Sequence, residues 1–197
     1  MTRSRRILFA FLAFGLVGIA AAWRLFLRAL DGRVLQHVAL EPGMHVVDVG
    51  CGAGRLTTRI AKEVGPTGNV VGLDINPKAL RAAERHAHAT GLENIHFVLA
   101  GAGEGKLGQT RFDRAVLVAV LGEIIDRDAA MYEIFQALKP GGLLSVTEVA
   151  LDPHRRSGNE VRLLARAAGF VEQSFVDNRL LFTINLVKPP FCSSAST

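Results

Sequence analysis

Val46-Val47-Asp48-Val49-Gly50-Cys51-Gly52-Ala53-Gly54-Arg55-Leu56-Thr57 is the stretch on which the fold turns. A run of strand length, His45–Val49, leads into glycines at positions 50, 52 and 54, and a helical pattern over about Leu56–Glu63 follows. Glycines at a strand end let the backbone turn tightly and come close to a ligand. The spacing is G-x-G-x-G, with Asp48 two residues ahead of the first glycine. A dinucleotide fingerprint, G-x-G-x-x-G, would need glycine where Arg55 stands, and no G-K-[ST] follows to make a phosphate loop.

Outward from this turn, apolar runs of strand length alternate with helical patterns. Upstream, Asp31–Leu40 reads as a short helix ended by Glu41-Pro42-Gly43. Downstream, Asn69–Leu73 is the next strand, and it ends in Asp74, 20 residues after Gly54. An acid at that place can accept hydrogen bonds from a ribose diol. Asn76-Pro77 supplies an N-cap and a proline at the first helical position, and this helix runs to Thr90 and Gly91. Ile95–Leu99 and Asp113–Val118 are strands, Ala129–Leu138 a helix ended by Lys139-Pro140-Gly141-Gly142, Leu143–Val149 a strand, and Asn159–Ala168 a helix closed by Gly169. Phe170–Val176 and Leu180–Val187 are joined by Asp177-Asn178-Arg179, a hairpin spacing. The expected fold is α/β and Rossmann-like: a seven-stranded, mostly parallel sheet with a C-terminal antiparallel hairpin, preceded by an N-terminal hydrophobic helix.

Charge divides the chain. The formal net charge is +5, from 23 Lys+Arg against 18 Asp+Glu. Arg3, Arg5, Arg6, Arg24 and Arg28 lie in residues 1–30, which hold no acid, so 18 basic and 18 acidic residues remain in 31–197. A phosphate-gripping body is therefore not supported, and no nucleic-acid partner is expected. From Ile7 to Trp23 the chain has 17 uncharged residues flanked by arginines. As a helix they would span about 25 Å, lengthened by Leu25, Phe26, Leu27 and Leu30 if Arg24 and Arg28 snorkel. A membrane anchor over residues 7–30, a cleaved signal peptide ending near Ala20-Ala21-Ala22 and an arginine-rich presequence all fit this composition. The expected domains are an anchor at 1–30, an α/β domain at 31–190 and a polar tail at 191–197. Cys51 and Cys192 cannot make a disulfide framework, and the histidines are scattered without metal-ligand spacing, so no metal is expected.

At VVDVGCGAGRLT (46–57), VVGLDINPKAL (70–80), FDRAVLVAVLGEI (112–124) and LKPGGLLSVTEV (138–149) the sequence resembles the class I S-adenosylmethionine-dependent methyltransferases. Within that family it is most similar to the branch containing ubiquinone/menaquinone-biosynthesis and phospholipid methyltransferases. The resemblance implies S-adenosylmethionine as cofactor. It implies that Asp48 and the backbone of Gly50, Cys51, Gly52 and Gly54 hold the amino-acid part, that Asp74 binds the ribose hydroxyls and that Ile75 packs on the adenine. Val118, at the end of its strand, joins the same set. After the third strand the family carries an Asp-Ala pair that meets the adenine. Here Gly101 stands where that Asp is expected, Ala102 follows, and Glu104 is the nearest carboxylate.

Methyl transfer from a sulfonium needs proximity and orientation first, and a base only where the nucleophile must lose a proton. Glu123, Glu148 and His154 are the candidate bases, with solvated or helix-capping roles as their alternatives. The connection ALDPHRRSGN (150–159) is short, and Arg155-Arg156 reads either as a lipid-headgroup contact or as solvated surface. The expected function is a membrane-associated methyltransferase acting on a lipid, quinone or other small hydrophobic acceptor. Its body would lie on the cytosolic or organelle-interior side, where S-adenosylmethionine is supplied. An anchored methyltransferase of a water-soluble molecule and a cofactor-binding scaffold without catalysis are the alternatives.

Overall fold

A computed structural model describes residues 30–190. The chain divides into two units, Met1–Gln36 and His37–Thr197. Residues 30–38 are helical (α1), as the pattern before Glu41-Pro42-Gly43 predicts. The expected anchor at 1–30 and the tail at 191–197 lie outside the described residues, Leu30 excepted. Among the described residues no helix is long and apolar enough to cross a membrane.

The second unit is built on one sheet. Its strands are β1 (His45–Val49), β2 (Asn69–Asp74), β3 (Ile95–Leu99), β4 (Phe112–Val118), β5 (Leu138–Val149), β6 (Val171–Asp177) and β7 (Leu181–Val187), in the order β3-β2-β1-β4-β5-β7-β6. Strands β3, β2, β1, β4 and β5 pair in parallel, while β7 runs antiparallel to both β5 and β6. The helices between them are α2 (Arg55–Val64), α3 (Pro77–Ala89), α4 (Arg127–Ala137) and α5 (Gly158–Ala168). Central parallel strands covered on both faces read as continuous apolar runs rather than alternating ones, and HVVDV and NVVGLD do so. Val47, Val49, Leu117, Leu144 and Val146 pack with Met131 and Ile134 of α4, Val161 and Ala165 of α5, and Phe182, Ile184 and Leu186 of β7.

The largest departure from the expected boundaries is in β5. Lys139-Pro140-Gly141-Gly142, read as the turn that ends a helix, lies inside β5. Leu138 pairs with Phe112, the register then shifts, and Leu143 pairs with Arg114. Gly141 takes φ +77° and donates its N–H to the Lys188 carbonyl (2.9 Å), while Lys188 donates back to Gly142 (2.9 Å). The glycines thus make a bulge that keeps the strand paired while it bends. The sheet order reverses at β1, whose neighbours β2 and β4 lead to opposite edges. Ligands of open α/β sheets bind in the crevice at the strand ends beside such a reversal.

Candidate active site

The glycine turn after β1 is tied to the end of β2. Gly50 and Cys51 both donate N–H bonds to the Leu73 carbonyl, at 2.7 and 3.0 Å, and Gly54 donates to Cys51 (3.0 Å). The Asp74 carboxylate divides itself, Oδ2 accepting the Gly52 N–H (2.7 Å) and Oδ1 the Asn76 N–H (2.8 Å). Gly50, Gly52 and Gly54 all have positive φ, but their surroundings differ. A Cβ at Gly50 would strike the Val120 side chain, and one at Gly54 would lie 2.8 Å from Cβ of Ala83 on α3. A Cβ at Gly52 would meet nothing within 4 Å. Gly50 and Gly54 are therefore packing glycines, while Gly52 shows bare backbone to open space.

Open space there is a cleft of about 520 Å³. On the β1 and β2 side it is lined by Val49, Gly50, Gly52, Asp74 and Ile75, the last 70% exposed. The loop after β3 contributes Gly101, Ala102, Gly103 and Glu104, and the end of β4 with the segment after it contributes Val118, Ala119, Val120, Glu123, Ile124, Ile125 and Asp126. Ala119 is a non-glycine residue at φ +54°, a conformation that costs L-residues about 1–2 kcal/mol. Its N–H is held by the Thr147 carbonyl (2.9 Å), and the turn it makes brings Val120 against Gly50. At Gly101 a Cβ would lie 2.8 Å from Oε1 of Glu104, so the Glu104 side chain occupies the space a side chain at 101 would take.

Gly50, Gly52, Asp74, Ile75, Gly101, Ala102 and Val118 thus share one cleft; Asp48, Cys51 and Gly54 do not line it. Asp48 is 3% exposed, and its Oδ2 accepts the Thr57 hydroxyl (2.6 Å), joining β1 to the first turn of α2 behind the glycine turn. Cys51 faces inward toward Gly72, and burial, reinforced by the charges of Asp48 and Asp74, pushes its thiol far up, so it stays a neutral filler. Of the candidate bases only Glu123 lines the cleft. Glu148 is fully buried on β5, and His154 is exposed in the connection that follows, its N–H donating to Asp152 (2.8 Å). Arg155 lies over the Phe182 ring (5.0 Å); the Arg156 backbone N–H donates to Glu148, while its guanidinium reaches the Gly122 carbonyl and Glu160.

Sequence reasoning passed over Glu133 of α4. It is 8% exposed, and its carboxylate accepts N–H bonds from Gly103 (2.5 Å) and Leu107 (2.9 Å), pinning the loop after β3 from behind the cleft. The available signal was its position on the buried stripe of α4, between Ala130 and Ala137.

Comparison with known proteins agrees with this geometry. A family model described as a methyltransferase domain matches residues 40–177. The chain is 33% identical over 140 residues to the ubiquinone/menaquinone biosynthesis C-methyltransferase UbiE of Vibrio campbellii, covering 69% of this chain and 51% of that protein. It is 30% identical over 138 residues to UbiE of Shewanella halifaxensis, covering 70% and 52%. The chain therefore spans about half the length of the curated relatives it matches. A crystal structure of a SAM-dependent methyltransferase from Aquifex aeolicus superposes with a TM-score of 0.74 at 23% identity, over 80% of this chain and 88% of that one, and so shares the fold. With the glycine turn, the acid closing β2 and the terminal hairpin in one sheet order, the chain belongs to the class I S-adenosylmethionine-dependent methyltransferase family.

Proposed function

We propose that the protein is a membrane-associated enzyme that moves a methyl group from S-adenosylmethionine to a small hydrophobic acceptor, a quinone-type or lipid molecule. The observation that carries this is the division of the cleft. The turns after β1, β2 and β3 bring backbone and carboxylate, Gly52, Asp74, Gly101 and Glu104, as one half; the segment after β4 brings the other, apolar at Val120, Ile124 and Ile125. The polar half fits the cofactor. Gly52 lets a ligand come close because nothing stands over it, Asp74 beside it keeps lone pairs beyond those it gives Gly52 and Asn76, Ile75 gives a flat apolar contact, and Ala102 with Glu104 would replace the carboxylate absent at Gly101. Asp48 and Gly54 hold the turn from behind, and Cys51 fills the space beneath it.

When bound, the cofactor supplies an electrophilic methyl group on a sulfonium, and the protein's share is to orient and to exclude water. The apolar half would seat the acceptor. Glu123, the carboxylate of that half that is not spent on a helix cap, stands where an acceptor hydroxyl could surrender its proton. Asp126 is occupied as the N-cap of α4, accepting from Ala129 (2.9 Å). The names of the UbiE relatives support methylation at a ring carbon. Residues 7–30 would hold the body at the bilayer, on the cytosolic or organelle-interior face, within reach of an acceptor dissolved in lipid.

Calorimetry with S-adenosylmethionine and mass spectrometry of lipid and quinone extracts test this together. Binding, with a product one CH₂ heavier only when the protein is present, is the expected result. Failure to bind the cofactor would overturn it, and binding without any methylated product would favour a cofactor-binding scaffold. A water-soluble product, with turnover on vesicles unaffected by removal of residues 1–30, would overturn the hydrophobic acceptor.

A further inference from the structure

Glu148 is a fully buried carboxylate that the proposed chemistry does not use. It lies on β5 beside Thr147, whose carbonyl holds the strained Ala119. Its Oε2 accepts the Arg156 N–H (3.3 Å), and its Oε1 has no partner. Arg156 reaches the other way. Its Nη2 donates to the Gly122 carbonyl (3.4 Å), Nη1 lies 3.7 Å from Glu160, and its buried Nε has no partner. The same Gly122 carbonyl accepts from Nη2 of Arg127 (3.0 Å), whose Nε holds the Leu121 carbonyl (3.0 Å). Gly122 has no room for a side chain, because a Cβ there would run into the His154 backbone. The next residues, Glu123 to Asp126, line the cleft. The apolar half of the cleft therefore hangs from two arginines, one at the start of α4 and one on the connection to α5.

We propose that Glu148 is a positioning residue for the acceptor half of the cleft, acting through Arg156 on the carbonyl of Gly122. This rests on the methyltransferase reading for what the cleft binds, but not for the brace itself. An unmatched acceptor and an unmatched donor in one buried cluster mark a group retained for geometry rather than for stability. The charged groups around Glu148 are Asp152, Arg155 and Arg156 of the connection, with Arg127 of α4 and Glu160 of α5 on the far side of Arg156; Glu148 makes no ion pair among the described residues. Burial pushes its carboxyl up to about 7, the Asp152 charge adds to this, and the Arg156 amide and the charges of Arg155 and Arg156 oppose it. Opening the connection would return the group to water and to an ordinary carboxylate range. The closed brace therefore holds its proton more firmly than the open one, and it loosens as pH rises toward 7.

Hydrogen exchange of the full-length protein in detergent, with and without S-adenosylhomocysteine, tests this using E148Q, E148L and R156A. R156A and E148L should exchange over residues 120–126 about tenfold faster than wild type at pH 6, with the glycine turn 50–54 unchanged. E148Q keeps the acceptor for Arg156 and mimics the neutral acid. It should approach wild type at pH 5 and lose the loosening that wild type shows by pH 8, after correction for intrinsic exchange. Affinity for S-adenosylhomocysteine should stay within about twofold in E148Q and R156A, since neither touches the polar half. Unchanged protection at 120–126 in R156A would overturn the proposal, as would equal acceleration of residues 50–54 and 120–126. A protein that binds no S-adenosylhomocysteine would refute the methyltransferase reading, while the exchange of the free protein would still decide the brace.

Discussion

Asp74 shows how much of a site one residue can hold and how much of that is legible in advance. Its position at the end of a strand, a fixed distance beyond the glycine turn, marks it in the sequence. Its division between Gly52 and Asn76 does not, because that depends on a turn whose shape only the fold supplies. Asp74→Ala leaves both N–H groups without their acceptor. It should cost about 1–3 kcal/mol in urea unfolding and weaken S-adenosylhomocysteine at least tenfold by calorimetry, with Asp74→Asn intermediate. An affinity unchanged in the alanine variant would remove Asp74 from the cofactor site. Glu133 escapes a reading of the sequence, and Glu148 reads there as a candidate base rather than a buried group, for one shared reason. Each is a lone acid in an apolar string, MYEIF and SVTEV, and its partners lie far along the chain or in an irregular connection. Ala119 carries its strain as invisibly, since φ +54° leaves no trace in composition. Ala119→Gly should raise the unfolding free energy by up to about 1 kcal/mol, relief of strain exceeding the added backbone entropy. A matching loss of acceptor affinity would show that the strain serves the cleft.

Among elements, what is local is what reads best. The Asn76-Pro77 start of α3 is found as expected, Asn76 Oδ1 accepting from Lys78 (2.9 Å) and Ala79 (3.3 Å). The start of α5 was placed one residue late, although Ser157 and Glu160 spell a capping box. Ser157 Oγ accepts the Glu160 N–H (3.3 Å), while Glu160 accepts the Ser157 N–H (2.8 Å). Ser157→Ala should therefore cost about 1 kcal/mol, measured as a lowered urea midpoint at constant slope. No change in midpoint would mean that packing of Val161 and Ala165 alone fixes the helix start. The bulge in β5 was misread for a different reason. Lys-Pro-Gly-Gly has the local chemistry of a helix stop, and only the bonds between Gly141, Gly142 and Lys188 keep it within the sheet. Non-local pairing overrode local propensity there.

For the molecule as a whole, alternation of strand and helix was enough to anticipate a parallel sheet with a terminal hairpin. The strand order was not legible, because periodicity says which faces are buried and not which strands are neighbours. The pH dependence of stability follows from the same burial that hid Glu148. Hydrogen bonds and charges lower the carboxyls of Glu160 and Glu172, through Ser157 and Arg162 respectively, and a native carboxyl held low gains stability as pH rises toward its unfolded value. Those gains are complete by about pH 5. Glu148 acts in the opposite sense and in a later window. Its folded carboxyl sits at about 7 against an ordinary value of 4.5, so between these the native state holds a proton that the unfolded chain has released. Stability must then fall as pH rises from about 4.5 to about 7 and level off above, by an amount on the order of 3 kcal/mol. Glu148→Gln cannot ionise and should lose this falling limb, leaving it close to wild type at pH 5 and more stable at pH 8. Urea unfolding of both proteins at pH 5, 6, 7 and 8 reads the difference directly. Parallel curves would mean that Glu148 is solvated in the folded protein, and that the connection from β5 to α5 opens far more readily than its hydrogen bonds indicate.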